Sequence, residues 1–365
     1  MRILYGVQGT GNGHISRCRL MAKALQAEGV QVDYVLSGRD ADAYFDMQAF
    51  GEYRCLPGLS FATKDGAIDL WATVNRSQPL QLLRDIRQLS LDDYDLIISD
   101  FEPVTAWAAK RQNRPVLGIS HQASFRYAVP QTGGTPVARF TMRHFAPVQQ
   151  AVGLHWFHFG HPILPPIIET LEPAHESGDI LVYLPFESPH AIYELLSRFK
   201  SAHFVCFHPD FSIPVEQNNL RFMPLGRESF IQALRGCNGV ICNAGFELAS
   251  EALTLGKRLL LKPLQGQFEQ ASNAMTLELL GLAHVMQQLD PGQVRHWLNS
   301  DKSGQIHYPD VASAIATWLA NGRTEDVIDL AERLWRQVIF PEPVMERIHE
   351  LGLGAELSNG QLMRA

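Results

Sequence analysis

Two rhythms of apolar and polar positions alternate along this chain. Compact apolar runs, RILYGV (2–7), VQVDYVL (30–36), YDLIIS (94–99) and PVLGIS (115–120), have the length and β-branched content of buried strands. Between them lie stretches with helical spacing, such as PLQLLRDIRQL (79–89) and VTAWAAKRQ (104–112). Strand and helix in strict turn predict a parallel sheet flanked by helices, a Rossmann-like layer. From 161 to 179, HPILPPIIETLEPAHESGD gathers prolines and polar residues where neither period persists, which predicts a linker.

The alternation then resumes with DILVYLPFE (179–187), SAHFVCFHP, NLRFMPLG, GVICNA (239–244) and RLLLKPL (258–264). A second α/β domain follows, so the expected division is 1–160, linker 161–179, 180–330, and a terminal segment 331–365. Two helical patterns, DVASAIATWLANG (310–322) and EDVIDLAERLWRQVIF (325–340), close the chain, and the tail from Ser358 is short and polar, with little to bury. A length of 365 residues suits two domains of ordinary size.

The chemistry concentrates in the stretch from Asn243 to Ala274. Ala244 and Gly245 turn an apolar strand into an amphipathic helix that Gly256 should end, leaving a helix N-terminus with unpaired N–H groups at Gly245 and Phe246. Such an end holds a diphosphate without a metal ion. Glu247 and Glu251 fall one helical turn apart; a ribose diol near Glu251 would justify that like-charge pair, with Glu247 complementing the dipole. Past the next strand, Gln265, Gln267, Glu269, Gln270 and Asn273 supply the donors and acceptors that a sugar ring requires. An ordinary βαβ unit with solvated acids is the plainer alternative.

At the other end, Gly9, Gly11 and Gly13 form a glycine loop spaced G-x-G-x-G, which departs from the dinucleotide fingerprint. His14 stands at the loop-to-helix junction, where a neutral imidazole can take a proton or simply pack at the helix start. Asp100 and Glu102 follow the strand YDLIIS, on the sheet edge where open α/β folds place ligands, and either could orient His14; Asp100 is the preferred partner. Ser120, His121 and Gln122 lie on the same rim, lining the cleft or meeting an acceptor.

These motifs together resemble the GT-B glycosyltransferases, close to the MurG type and closer to its little-characterised bacterial and archaeal relatives. The resemblance implies a GT-B fold, two Rossmann-like domains with parallel sheets facing a central cleft. It implies that Gly245 and Phe246 hold the donor diphosphate, Glu251 its ribose, and Gln267, Glu269, Gln270 and Asn273 the sugar; that His14, oriented by Asp100, deprotonates the acceptor; and that Glu102, His121 and Gln122 are candidates for the acceptor side. It further implies a UDP-sugar as favoured donor, inversion at the sugar, no metal or other cofactor, and a terminal helix returning to the first domain. The MurG pattern has two glutamines where this chain has Glu269 and Gln270, so sugar identity does not transfer. A sugar-nucleotide epimerase or hydrolase of the same fold and a non-catalytic nucleotide-sugar binder are the rival readings.

Composition narrows the partners. A net charge of −7 and a pI near 6.1 remove nucleic acid from the expected ligands. Arg126, Arg139, Arg143 and His144 form a local basic group that either faces an anionic acceptor or lipid headgroup or, preferred here, is a solvated helix face. The expected acceptor is unidentified, a glycan or lipid-linked hydroxyl among the options. Five cysteines without a C-x-x-C pair, no signal peptide and no membrane-length apolar run point to the cytoplasm, free or at the inner face of a membrane. The histidines of HWFHFGH (155–161) lack metal-ligand spacing and read as a packed strand end.

Overall fold

A computed structural model describes residues 1–59, 63–64, 67–68, 79–134, 136–174, 177–302 and 304–353, leaving the side chains of 63–64, 67–68 and 136–139 aside. Arg139's side chain and the tail from Ser358 therefore lie outside the described residues.

The first half runs β1 (Arg2–Gln8), α1 (Asn12–Ala27), β2 (Gln31–Ser37), β3 (Tyr53–Leu56), a small hairpin of β4 (Thr63–Lys64) and β5 (Ala67–Ile68), α2 (Pro79–Gln88), β6 (Leu96–Asp100), α3 (Pro103–Arg111), β7 (Leu117–Ser120), α4 (Pro136–His144) and β8 (Gln150–Gly153). Its six-stranded sheet has the order β3-β2-β1-β6-β7-β8 and is parallel throughout. Strand order reverses between β1 and β6, where an open sheet leaves a crevice at its carboxyl edge. The glycine loop leaves β1 there, and register sets Asp100 beside Val7.

The second half contains β9 (Ile180–Tyr183), α5 (Pro189–Leu196), β10 (Phe204–Phe207), β11 (Val215–Gln217), β12 (Leu220–Met223), α6 (Arg227–Gly236), β13 (Gly239–Cys242), α7 (Phe246–Thr254), β14 (Arg258–Leu261), α8 (Phe268–Leu279), β15 (His284–Val285) and α9 (Pro291–Leu298). Its sheet, β11-β12-β10-β9-β13-β14-β15, is parallel except for β11. Here the order reverses between β9 and β13, and α7 starts beside that crevice. No helix or strand occurs among the described residues of 161–179.

Strand periodicity explains the layering. Along β1, Ile3, Tyr5 and Val7 pack into one core and Leu4 into another; along β13, Val240 and Cys242 face one side and Ile241 the other. Each sheet has a separate outer core, beneath α2 and α3 in the first half and beneath α5 and α9 in the second. The inner faces belong to one continuous apolar cluster that runs from Ile3 through Trp156 to Leu261, so the two halves share a core.

The C-terminal elements are α10 (Val311–Ala320), α11 (Val327–Trp335) and α12 (Glu342–Glu350). The helix that packs on α1 is α10, within 180–330, where Thr317 Oγ1 donates to Glu28 Oε1 at 2.5 Å. Trp335 of α11 donates to Ile163 O at 2.6 Å, whereas α12 lies back on the second half, with Arg347 Nε donating to Leu279 O at 3.1 Å. Contact with the first half thus begins with α10 and continues through Trp335, whose ring meets Phe157 and His158. Among the described residues, no helix is long and apolar enough to cross a membrane.

Ile315 is fully buried in the shared core. Ile315→Ala should therefore destabilise the chain by about 2–5 kcal/mol, seen as a lower urea midpoint.

Candidate active site

The carboxyl edges of the two sheets meet, and the residues singled out above collect along that seam. Gly11, the N-cap of α1, has φ +98, which favours glycine. A side chain at Gly9 would strike Tyr44, and one at Gly13 would come within 2.9 Å of Glu247 Cγ. The last glycine of the loop is thus the point where α1 approaches α7 of the opposite domain.

His14 sits in the first turn of α1, its Nδ1 2.9 Å from Asp100 Oδ1. Asp100 is fully buried at the end of β6. It also receives Arg17 Nε at 2.6 Å and Arg17 Nη2 at 2.5 Å, and the Cys18 thiol at 3.1 Å. Arg17 lies one turn after His14 and is 3% exposed; its Nη1 donates across the seam to Glu247 Oε1 at 2.5 Å. Burial alone would raise the Asp100 pKa, but Arg17 and His14 outweigh it and hold the carboxyl below the usual range. Burial likewise opposes the Arg17 charge, and Asp100 and Glu247 overcome it. Among the described residues Glu247 receives the single Arg17 N–H, and burial pushes its pKa up to about 7 against the pull of Arg17.

Glu102, the rival partner for His14, is turned away. Fully buried, it caps α3, accepting from Val104 N and Thr105 N at 2.7 Å each and from Ser37 Oγ at 2.5 Å. Among the described residues, every bond of its carboxylate holds the first domain together.

On the donor half, Gly245 has an ordinary φ of −74, and no atom lies within 4 Å of the Cβ it lacks. The turn does not need glycine; the open space in front of the α7 N-terminus is what glycine preserves. Phe246 stacks on the His121 ring, with centroids 3.9 Å apart and planes at 10°. His121 Nδ1 is 2.8 Å from Leu154 O and Nε2 2.7 Å from Asn273 Oδ1, while Asn273 Nδ2 donates to Ala244 O at 3.0 Å. Burial pushes the His121 pKa down, so a neutral ring has one N–H for two oxygens. Gln122 Nε2 donates to Glu269 Oε2 at 3.0 Å and lies 3.4 Å from His14 Nε2. Gln267 caps α8 by accepting from Gln270 N at 3.2 Å, and Gln270 Oε1 accepts from Leu264 N at 2.9 Å, so these two amides shape the loop.

Glu251 makes no side-chain hydrogen bond among the described residues. It lines a small hollow with Ser16, Arg17, Leu20, Glu169 and Arg227. Burial and the Glu247 charge push the Glu251 pKa up to about 8. Elsewhere on the second sheet's edge, Lys262 Nζ and Glu187 Oε1 form a buried pair at 2.5 Å. In HWFHFGH, His155 is fully buried and its Nδ1 accepts from Trp156 N at 3.0 Å.

The structure thus joins His14 with Asp100, His121 with Asn273 and Gln122 with Glu269, and leaves Glu251 lining a cavity. Arg17 and the cross-domain partnership of Glu247 escaped the sequence reading. A signal existed for Arg17, since i and i+3 share a helix face.

The sequence model of a family described as Glycosyl transferase family 1 matches residues 1–300. An uncharacterized glycosyltransferase of Methanosarcina mazei is 22% identical, over 80% of this chain and 88% of its own. Among solved structures, the glycosyltransferase of kitacinnamycin superposes with a TM-score of 0.56 at 14% identity, over 96% of this chain and 98% of that one. LpCGTa in complex with UDP gives 0.55 at 14% over the same shares. Arabidopsis thaliana UGT89C1 complexed with UDP gives 0.52, again at 14% over 96% and 98%. These likenesses establish the fold as GT-B.

Because the folded-state pKa of Glu251 is raised from 4.5 to about 8, its contribution is full below the lower value and is lost as pH rises through the upper one. Thermal melts between about pH 5 and pH 8 should show stability falling as pH rises, and Glu251→Gln should flatten that slope. An equal slope in the variant would assign the loss to other groups.

Proposed function

The chain belongs to glycosyl transferase family 1, and from that membership we propose that it moves a hexose-type sugar from a UDP-sugar to an acceptor hydroxyl, with inversion and without a metal ion. The observation that carries this reading is the opposition of His14 and Asp100 on one domain to the unobstructed N-terminus of α7 on the other.

With Asp100 accepting a hydrogen bond from Nδ1–H, the Nε2 lone pair of His14 is free to take the acceptor's hydroxyl proton. The acceptor oxygen bonds to C1 as the bond from C1 to the diphosphate oxygen breaks, and the leaving nucleoside diphosphate keeps the electron pair. Attack from the side opposite the leaving group inverts C1. The N–H group of Phe246 and the α7 dipole supply positive charge for the departing diphosphate, so the reaction calls for no metal. Glu251, facing a cavity and unpaired among the described residues, suits a ribose diol. Glu269, held by Gln122, suits a sugar hydroxyl, and Asn273, bonded to His121 and Ala244 O, would hold the turn before α7 beside it. UDP bound in LpCGTa and UGT89C1 supports uridine as the base. The acceptor is a hydroxyl compound that enters on the side of His14.

A thermal-shift screen against nucleoside diphosphates and their sugar conjugates, without added metal, should select UDP and one UDP-sugar. With that donor, His14→Ala should lower turnover about 10²–10⁴-fold while leaving donor affinity unchanged. Glu251→Ala should weaken donor binding by about 1–3 kcal/mol. Loss of donor binding in His14→Ala would remove the base role, and unchanged affinity in Glu251→Ala would remove that residue from the ribose site.

A further inference from the structure

A second arginine lies beside the glycine loop, and among the described residues it meets no acid. Gly38, at φ +102 just past the end of β2, brings the chain against that loop: a side chain there would come within 2.6 Å of Thr10 Oγ1. Arg39 follows. Its Nη1 donates to Asn12 Oδ1 at 3.1 Å and to Ala43 O at 3.4 Å, and its guanidinium lies over the Tyr44 ring, 5.4 Å from the centroid. Arg17 meets Asp100 and Glu247, Arg227 meets Glu169, and Lys262 meets Glu187. Arg39 has no such partner, and Asp40 and Asp42, which follow it in the chain, are exposed. Its Nε and Nη2, the edge that can grip two oxygens of one phosphate, donate to none of the described residues.

Two neighbours link Arg39 to the second domain. Asn12, which it holds, precedes Gly13, where a side chain would come within 2.9 Å of Glu247 Cγ in the first turn of α7. Tyr183, whose phenol feels the Arg39 charge, ends β9 beside Cys242 of β13, and Asn243 N donates to Tyr183 O at 3.3 Å. From Asn243 the chain turns through Ala244 into Gly245, the N-cap of α7, with open space in front of it. The arginine, the glycine loop and the open helix end thus gather at one place on the seam. Burial takes water from the Arg39 cation and pushes its pKa down, opposed by the phenols of Tyr44 and Tyr183 rather than by a carboxylate. An anion with several oxygens would complete both the guanidinium edge and the helix end.

We propose that Arg39 is a donor-binding residue, its Nε and Nη2 edge taking two oxygens of the donor's diphosphate from the first domain while the N-terminus of α7 holds that group from the second. This inference rests on the glycosyl-transfer reading and adds to it a ligand from the other half of the molecule. Asn12 and the Tyr44 ring aim the guanidinium, so little side-chain freedom is lost when the anion arrives. The charge that grows on the diphosphate as its bond to C1 breaks is then met by a cation that no protein acid neutralises.

The test is calorimetric titration of the full chain with UDP and with inorganic pyrophosphate, without added metal. Arg39→Gln should weaken both about 10- to 100-fold, the worth of a hydrogen bond to a charged group, and leave the melting temperature of the unliganded protein unchanged. Arg39→Lys, which keeps the charge and loses the fork, should fall between the two. If Arg39→Gln does not fold, Arg39→Lys alone should still bind both ligands several-fold more weakly, and undiminished affinity there would overturn the inference. Equal UDP affinity in Arg39→Gln and the unaltered protein would overturn it while leaving the transferase reading in place. A loss of affinity that comes with a lower melting temperature would assign Arg39 to the architecture of the loop and overturn it too. Arg39-dependent binding of pyrophosphate without binding of UDP would uphold the inference and count against the uridine donor, whereas binding of neither ligand to the unaltered protein would overturn both.

Discussion

One buried cation organises the seam between the domains. Arg17 gives its fork to Asp100 and its remaining Nη1 to Glu247, so a single guanidinium neutralises carboxylates from both halves of the molecule. Removing it would leave two acids buried together without compensation, a change on the order of 3–5 kcal/mol in comparable buried pairs. The unequal sharing also sorts the acids. Asp100, held in two places, keeps its charge, whereas Glu247, held in one, stands with its pKa near 7. Gly13 belongs to the same constraint, because only a residue without a side chain lets α1 come close enough to α7 for the bond to form.

The sequence made the layered architecture readable where strands are central. β1, β6, β7, β9, β13 and β14 are buried on both faces, and their unbroken apolar runs announce them. Edge strands were harder. YRCL, QAVG and HV are short and half-buried, so their patterns resemble loops. The site divides in a similar way. His14 and Asp100 were legible because each follows a strand at its carboxyl end, a position fixed by local order. Glu102 has the same address and a different duty, since the direction of its side chain is decided by the unsatisfied N–H groups of α3 and by Ser37, which a linear pattern does not reveal.

Contacts across the seam were the least legible of all. Arg17 to Glu247, His121 to Asn273 and Gln122 to Glu269 join residues at least 147 positions apart, and no periodicity links them. Each pairs a residue beside the glycine loop or after β7 with one on α7 or α8. The seam therefore satisfies its own polar groups. On the function proposed above, those same groups would meet a nucleotide-sugar, and admission of one would exchange these internal bonds for bonds to the ligand.

The path of the C-terminal helices bears on how that exchange can occur. The chain passes between the halves through 161–179, returns to the first half with α10 on α1, and comes back to the second with α12 beside Leu279. A single tether would let the halves wander and twist freely. Three crossings of covalent chain and one shared apolar core hold them together, so that α1 and α7 keep a single alignment.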